Sequence, residues 1–141
     1  MAHKLILDTD IGTYYDDAFA TLLAGLSPEI DFLGLTTVYG DTDLRSKIAR
    51  KVLDTIGRQD VPVFKGVGKP LRGNALMFGF EGMNILTKED QDLKYNEEHA
   101  VNFMIRTIME NPGEVTVVTL GAVTNIAIAY IMEPRIAQNV K

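Results

Sequence analysis

Hydrophobic and polar positions alternate along this chain in two rhythms, one of strands and one of helices. Lys4-Leu-Ile-Leu7 is a short apolar run that reads as a buried first strand, and residues 30–38 form a β-branched, apolar second strand closing at Tyr39-Gly40. Between them Asp16 and Asp17 precede a helical stretch over 18–24 that stops at Gly25, with its acidic end where the helix dipole favours it. Residues 43–56 place Leu44, Ile48, Val52, Leu53 and Ile56 on one helical face and stop at Gly57. A short strand at 61–64, a helix at 97–111 broken by Pro112-Gly113, a buried strand at 115–120 and a helix running from Thr124 through Met132 complete the series. His99 falls on the polar face of the third helix, and Thr124 and Asn125 are expected to cap the last one. Residues 66–95 hold Gly66, Gly68, Gly73, Gly79 and Gly82 with little periodicity, which predicts a long loop with one helical turn. Loops of that length in compact domains are usually lids or binding segments.

Strands alternating with helices predict an α/β fold: an open, mostly parallel, Rossmann-like sheet with helices on both faces. Residues 1–141 form a single domain without repeats or linkers. In such sheets ligands bind beyond the carboxyl ends of the strands. Asp8-Thr9-Asp10, the stretch from Thr36 to Asp41, and Thr119-Leu120-Gly121 are therefore expected to face one crevice.

Composition narrows the chemistry. Nineteen acidic against fourteen basic residues leave a net charge of −5, with no basic cluster to meet a phosphate backbone, so no nucleic-acid partner is expected. No apolar run reaches the length of a membrane span, and the first four residues show no signal-peptide pattern. The expectation is a soluble, cytoplasmic protein with no membrane partner. There is no cysteine, and His3 and His99 are the two imidazoles, so any metal must be held by oxygen.

Asp8, Asp10, Asp16 and Asp17 fall close together around Gly12, which permits a tight turn. Carboxylates gathered at one edge repel one another unless a cation or protons intervene, and hard oxygen donors suit Ca²⁺ or Mg²⁺. Solvated loop acids and helix caps are the other reading of the same residues.

The run Asp8-Thr-Asp-Ile-Gly-Thr-Tyr-Tyr-Asp-Asp-Ala18 resembles the amino-terminal signature of the inosine/uridine-preferring nucleoside hydrolases. Leu35-Thr-Thr-Val-Tyr-Gly-Asp41, Val61-Pro-Val-Phe-Lys-Gly66, and Thr119-Leu-Gly-Ala-Val-Thr-Asn-Ile-Ala127 followed by Glu133-Pro134 agree in the same order. The resemblance implies hydrolysis of the N-glycosidic bond of a small-molecule ribonucleoside to ribose and free base, with Ca²⁺ as cofactor. It implies that Asp10, Asp17 and the backbone carbonyl of Leu120 are calcium ligands, and that Asp10 is also the general base toward a calcium-bound water. It further implies that Asp16 and Asp41 contact the ribose, with Asp8 and Asn125 in support.

The chain departs from the family pattern in four places. Thr13-Tyr14-Tyr15 lengthens the spacer before the Asp pair, Asp41 replaces an asparagine, and Phe78-Gly79 replaces a His-Gly pair in the base-binding loop. Family members are also longer. Their remainder supplies Asn and Glu residues that grip the ribose and a His-Asp pair whose Asp completes the calcium shell, whereas residues 138–141 stand where the next core strand is expected to start. The chain thus reads as truncated relative to the full family domain. A noncatalytic half-domain or a subunit completed by a partner is one alternative, and self-association is left open, as is the choice between purine and pyrimidine. The Asp8-x-Asp10 motif after an apolar strand also allows a haloacid-dehalogenase-type phosphatase, with Asp8 as nucleophile, and the size and acidic cluster allow a receiver-like signalling module.

Overall fold

Alternation along the first strand sets the layering. In the computed structural model, which describes residues 2–141, β1 (His3–Thr9) sends Leu5 and Leu7 to one face of the sheet and Ile6 to the other. The first face is covered by α1 (Asp16–Leu26) and α2 (Thr42–Thr55), which add Ala24, Ile48, Ala49 and Leu53 to a core shared with Phe32, Leu35 and Val63. The second is covered by α3 (Ala100–Glu110), α4 (Thr124–Met132) and the short α5 (Ile136–Asn139), whose Val101, Phe103, Met104, Ala129 and Ile136 pack around Ile6 and Val115. The expected helices on both faces are present.

The other strands are β2 (Ile30–Thr37), β3 (Val63–Phe64) and β4 (Val115–Thr119), all parallel, in the order β3-β2-β1-β4. The chain moves outward from β1 to β3 over one face. It then crosses back over the other face to place β4 beside β1. The strand order therefore reverses between β1 and β4, which is where an open α/β sheet gathers its ligand site. Gly34 in β2 is fixed by packing rather than by backbone torsion. A methyl group there would lie 2.7 Å from Phe103 and 2.9 Å from Phe64, two rings stacked at 3.8 Å between centroids.

Several boundaries shift from the sequence expectation. The third helix begins at Ala100 and not at residue 97. His99 is its N-cap, with Nδ1 accepting from the Val101 amide at 3.2 Å, so the residue placed by periodicity on a polar helix face has a capping role. Residues 138–141 are expected from sequence to start a strand, but residues 136–139 form one helical turn. Pairing on the free edge of β4 begins at Lys141, whose amide donates to the Val115 carbonyl at 2.9 Å. Among the described residues no helix is long and apolar enough to cross a membrane.

The single helical turn expected in the long loop is a 3-10 turn at Lys88–Asp92. It is anchored to α2 through Asp90, which accepts from Lys51 Nζ at 2.7 Å and from the Thr87 amide and hydroxyl at 2.7 and 2.8 Å. The Lys51 ammonium and the Thr87 donors hold the Asp90 carboxyl down to about 2. A carboxyl depressed in the folded state stabilises it above the ordinary value of about 4 and loses that effect as pH falls through the folded value. Asp90→Asn is accordingly expected to lower the urea midpoint at neutral pH, with the gap from wild type closing as the pH approaches about 2. A gap that stays constant across that range contradicts this account.

Candidate functional site

The carboxyl end of β1 is held from β2 on one side and from α4 on the other. Asp8 is fully buried. Its Oδ1 accepts from Thr36 Oγ1 on β2 at 2.6 Å and from Asn125 Nδ2 on α4 at 2.7 Å, while its Oδ2 has no partner among the described residues. Burial pushes this carboxyl up to about 6, against the pull of those two hydrogen bonds, and the nearby Asp10 charge adds to the rise. Asn125 donates also to the Thr37 carbonyl at 3.0 Å and accepts from the Val67 amide at 2.9 Å. One buried amide thus clamps β1, β2 and the segment after β3. Neither it nor Thr124 caps α4, in contrast to the expectation from sequence. Val123 holds the N-cap position without a side-chain bond, and Asn125, further into the helix, points at the sheet.

Beyond Asp8 the chain turns into α1. Thr9 Oγ1 accepts from the Ile11 amide at 3.1 Å and donates to Asp17 Oδ1, so the strand end and the first turn of α1 are tied together. Asp17 is buried, and its carboxyl lies above the ordinary range because burial outweighs the bond from Thr9. Gly12 adopts φ +116°, a conformation that a side chain rarely tolerates, and its carbonyl accepts from the Gly82 amide of the long loop at 3.2 Å.

Across the reversal point, the Leu120 amide donates to the Asp8 carbonyl at 2.8 Å, continuing the β1–β4 ladder by one residue. Gly121 then passes so close to Asp10 that a methyl group on it would lie 2.7 Å from Asp10 Oδ1. Asp10, Asp16, Asp17 and Leu120 line one crevice of about 290 Å³, together with Thr13, Tyr14, Tyr39, Arg45, Leu76 and Phe78. The structure brings these four predicted residues together. Asp16 is exposed at the start of α1. Asp41 is exposed too, but its Oδ1 caps α2 by accepting from the Leu44 amide at 3.0 Å, and it is not among the lining residues. A larger hollow of about 940 Å³ lies at the opposite end of the sheet, around His3, Lys4 and Glu114, away from the strands' carboxyl ends.

Arg45 and Glu81 have no counterpart in the motifs, whereas the aromatic rim falls on positions that the family comparison already marks, Tyr14 and Phe78. Arg45 is 1% exposed and sends its guanidinium under the Asp10–Thr13 turn. A signal existed: an arginine on the same helical face as Ile48 and Ala49 breaks the amphipathic pattern. Glu81 is buried and accepts from the Phe78 and Gly79 amides at 2.7 and 2.9 Å, shaping the loop over the crevice. Tyr14 meets Phe78 edge-on at 6.4 Å, and Phe78 stacks on Phe80 at 5.6 Å, so an aromatic rim borders the acidic floor.

Among the described residues no three His, Asp or Glu side chains stand close enough to hold a metal by themselves. The donors at hand are nonetheless all hard oxygens: the Asp10 and Asp17 carboxylates and the Leu120 carbonyl. That set fits Ca²⁺ or Mg²⁺ and forms part of the six to eight oxygens that calcium takes. The phosphatase reading does not fit, because its nucleophile would be Asp8, which is 0% exposed and held by Thr36 and Asn125.

Known proteins resemble this chain in sequence and fold. The family model described as inosine-uridine preferring nucleoside hydrolase matches residues 5–141. A Leishmania major protein of that name is 41% identical over 149 residues, covering 100% of this chain and 47% of its own length. Uridine nucleosidase 1 of Arabidopsis thaliana is 36% identical over 145 residues, covering 98% of this chain and 43% of its own. Among solved structures, a plant nucleoside hydrolase superposes with a TM-score of 0.82 at 34% identity, covering 99% of this chain and 46% of that one. A purine-preferring ribonucleoside hydrolase from Gardnerella vaginalis gives 0.82 at 28% identity, covering 97% and 46%. The chain spans a little under half the length of the curated relatives it matches.

Proposed function

The chain belongs to the inosine-uridine preferring nucleoside hydrolase family, and from that premise we propose that its crevice is the cation- and ribose-binding portion of an N-glycosidase that splits ribonucleosides into ribose and free base. The observation that carries this reading is the meeting of Asp10 with Gly121 and Leu120 at the β1–β4 reversal, with Asp16 and Asp17 lining the same crevice. Asp10, Asp17 and the Leu120 carbonyl are the residues that would hold calcium, and calcium held there supplies Lewis acidity toward a water molecule and the ribose hydroxyls.

The remaining steps belong to the protein's own side chains. Asp10, half-buried and fixed against Gly121, takes the proton of the attacking water as general base. Asp16, exposed at the mouth, accepts a hydrogen bond from a ribose hydroxyl and so orients the sugar. As the glycosidic bond lengthens, positive charge builds on the ribose ring, and the negative groups already fixed on the crevice floor stabilise it. Asp8 and Asn125 keep the strand ends in place from below. Tyr14, Leu76 and Phe78 offer an apolar rim on which the base can lie. Asp41 adds least to the reading, since its Oδ1 is engaged in capping α2.

The relatives are about twice as long as this chain. The rest of the cation and ribose shell therefore lies in the other half of the family fold, in the same polypeptide or in a partner. Ribose release from uridine or inosine is expected to stop when calcium is chelated and to return when it is restored. Turnover that survives chelation removes this reading. Gly121→Ala offers a narrower test. Its methyl group displaces the Asp10 carboxylate, so calcium affinity is expected to fall about 10–100-fold in calorimetric titration, with the circular dichroism spectrum unchanged.

A further inference from the structure

Arg45 is the largest of the fully buried side chains, and it sits one turn into α2, where the helix dipole disfavours a cation. Neither local propensity nor burial explains it there. The explanation lies in what its guanidinium holds. Nε donates to the Tyr39 carbonyl at 2.6 Å, and Nη1 donates to the carbonyls of Asp10 and, at 2.8 Å, Ile11. Both Nη atoms reach Thr13 Oγ1 at 3.3 and 3.4 Å, and Nη2 lies 3.7 Å from the sulfur of Met77 in the long loop. None of these acceptors is a carboxylate, although Asp10, Asp17 and Glu81 all act on the guanidinium through their charge.

Tyr39 itself has φ +68°, an uncommon value for a residue other than glycine, and it precedes Gly40 at φ +75°. Such a turn persists only where its surroundings over-determine it. The Arg45 bond to the Tyr39 carbonyl and the Val67 carbonyl accepting from the Tyr39 amide at 2.9 Å do so. One planar side chain thus fastens the acidic turn after β1 to the turn after β2 and to the loop that covers both.

We propose that Arg45 is a positioning residue for the crevice: its guanidinium locks the Asp10–Thr13 turn through main-chain carbonyls, so that the Asp10 carboxylate is set for a cation before one arrives. The inference rests on the reading given under Proposed function and goes beyond it. The alternative role is simple charge balance among the carboxylates, and the two roles predict opposite results. Removing a neighbouring positive charge strengthens cation binding. Losing the fork that fixes a ligand weakens it, and groups that orient metal ligands typically alter affinity about 10–100-fold when replaced. Lysine keeps the charge but cannot span the Tyr39 and Asp10 carbonyls with one ammonium, and methionine keeps neither.

The test combines calcium calorimetry with amide hydrogen exchange at Ile11, Gly12 and Thr13 in calcium-free protein, for wild type, Arg45→Lys and Arg45→Met. Both variants are expected to bind calcium about 10–100-fold more weakly and to exchange faster in that turn. Wild-type affinity and exchange in Arg45→Lys, or tighter calcium binding by Arg45→Met, overturns the proposal. If wild type itself binds no calcium, the cation reading falls, while the exchange rates still decide the role of Arg45. Should neither variant fold, the wild-type protein decides: Arg45 Nε–H is expected as a slowly exchanging resonance, and free exchange overturns the proposal.

Discussion

Asp10→Ala is expected to lower ribose release roughly 10³- to 10⁴-fold in protein that carries the activity, since a general base alone contributes about 10²–10⁴. The same change removes a carboxylate from the cation's donor set, so calcium affinity is expected to fall with it. Asp10→Asn separates the two roles. It keeps the shape that fits against Gly121 and one neutral oxygen, but cannot take a proton at neutral pH. If proton removal outweighs ligation, saturating calcium leaves Asp10→Asn nearly as slow as Asp10→Ala. Recovery of wild-type turnover by Asp10→Asn at high calcium assigns the base elsewhere. An Asp10→Ala protein with wild-type turnover sinks the whole reading of the crevice.

Asn125→Ala is expected to cause the largest loss of stability, about 3–5 kcal/mol by urea unfolding, the scale seen when a buried charged network loses a partner. The reason is the number of groups left behind. Asp8 Oδ1, the Thr37 carbonyl and the Val67 amide all lose a bond, in a region where Asn125 and Asp8 are both 0% exposed. Asp8 is the costliest of the three, because burial already opposes its charge and its Oδ2 has no partner. The loss should therefore shrink in an Asp8→Asn background, where the buried acceptor is neutral and Thr36 can still donate to Oδ1. A double-mutant cycle reads that coupling directly. Equal losses in both backgrounds mean that the Asp8 charge adds nothing, and that the loss comes from the Thr37 and Val67 bonds and from packing.

Both predictions concern residues visible in the sequence, yet only one is visible in its place. Asp10 stands in a motif at the end of a strand, and the structure sets it in a crevice beside Asp16, Asp17 and Leu120. Asn125 looks like a helix cap, because asparagine near the start of a helix usually is one. Its real partners are 117 and 58 residues away in sequence, beyond the reach of any local pattern. Asp41 goes the other way. The motif points to a ribose contact, and the structure engages the side chain as the cap of α2. His99 is likewise a cap, since α3 starts three residues later than periodicity indicates and leaves the imidazole beside the Val101 amide.

The sequence by itself determined the architecture and narrowed the chemistry open to the chain. Its two periodicities set four strands and the helices between them, because burying one face of each element requires that spacing. The absence of cysteine and the scarcity of histidine left oxygen as the donor for any metal. The run from Asp8 to Asp17 carried the family signal. What only the tertiary structure decided was which atoms meet. The order β3-β2-β1-β4 sets β1 against β4, which brings Gly121 onto Asp10 across more than a hundred residues. The fold also turns Arg45 inward beneath the acidic turn and leaves one oxygen of Asp8 without a partner. Periodicity reports which face of an element is buried, and it is silent on what lies opposite. Hydrogen bonds and desolvation depend on that opposite surface, so they are settled when the layers close.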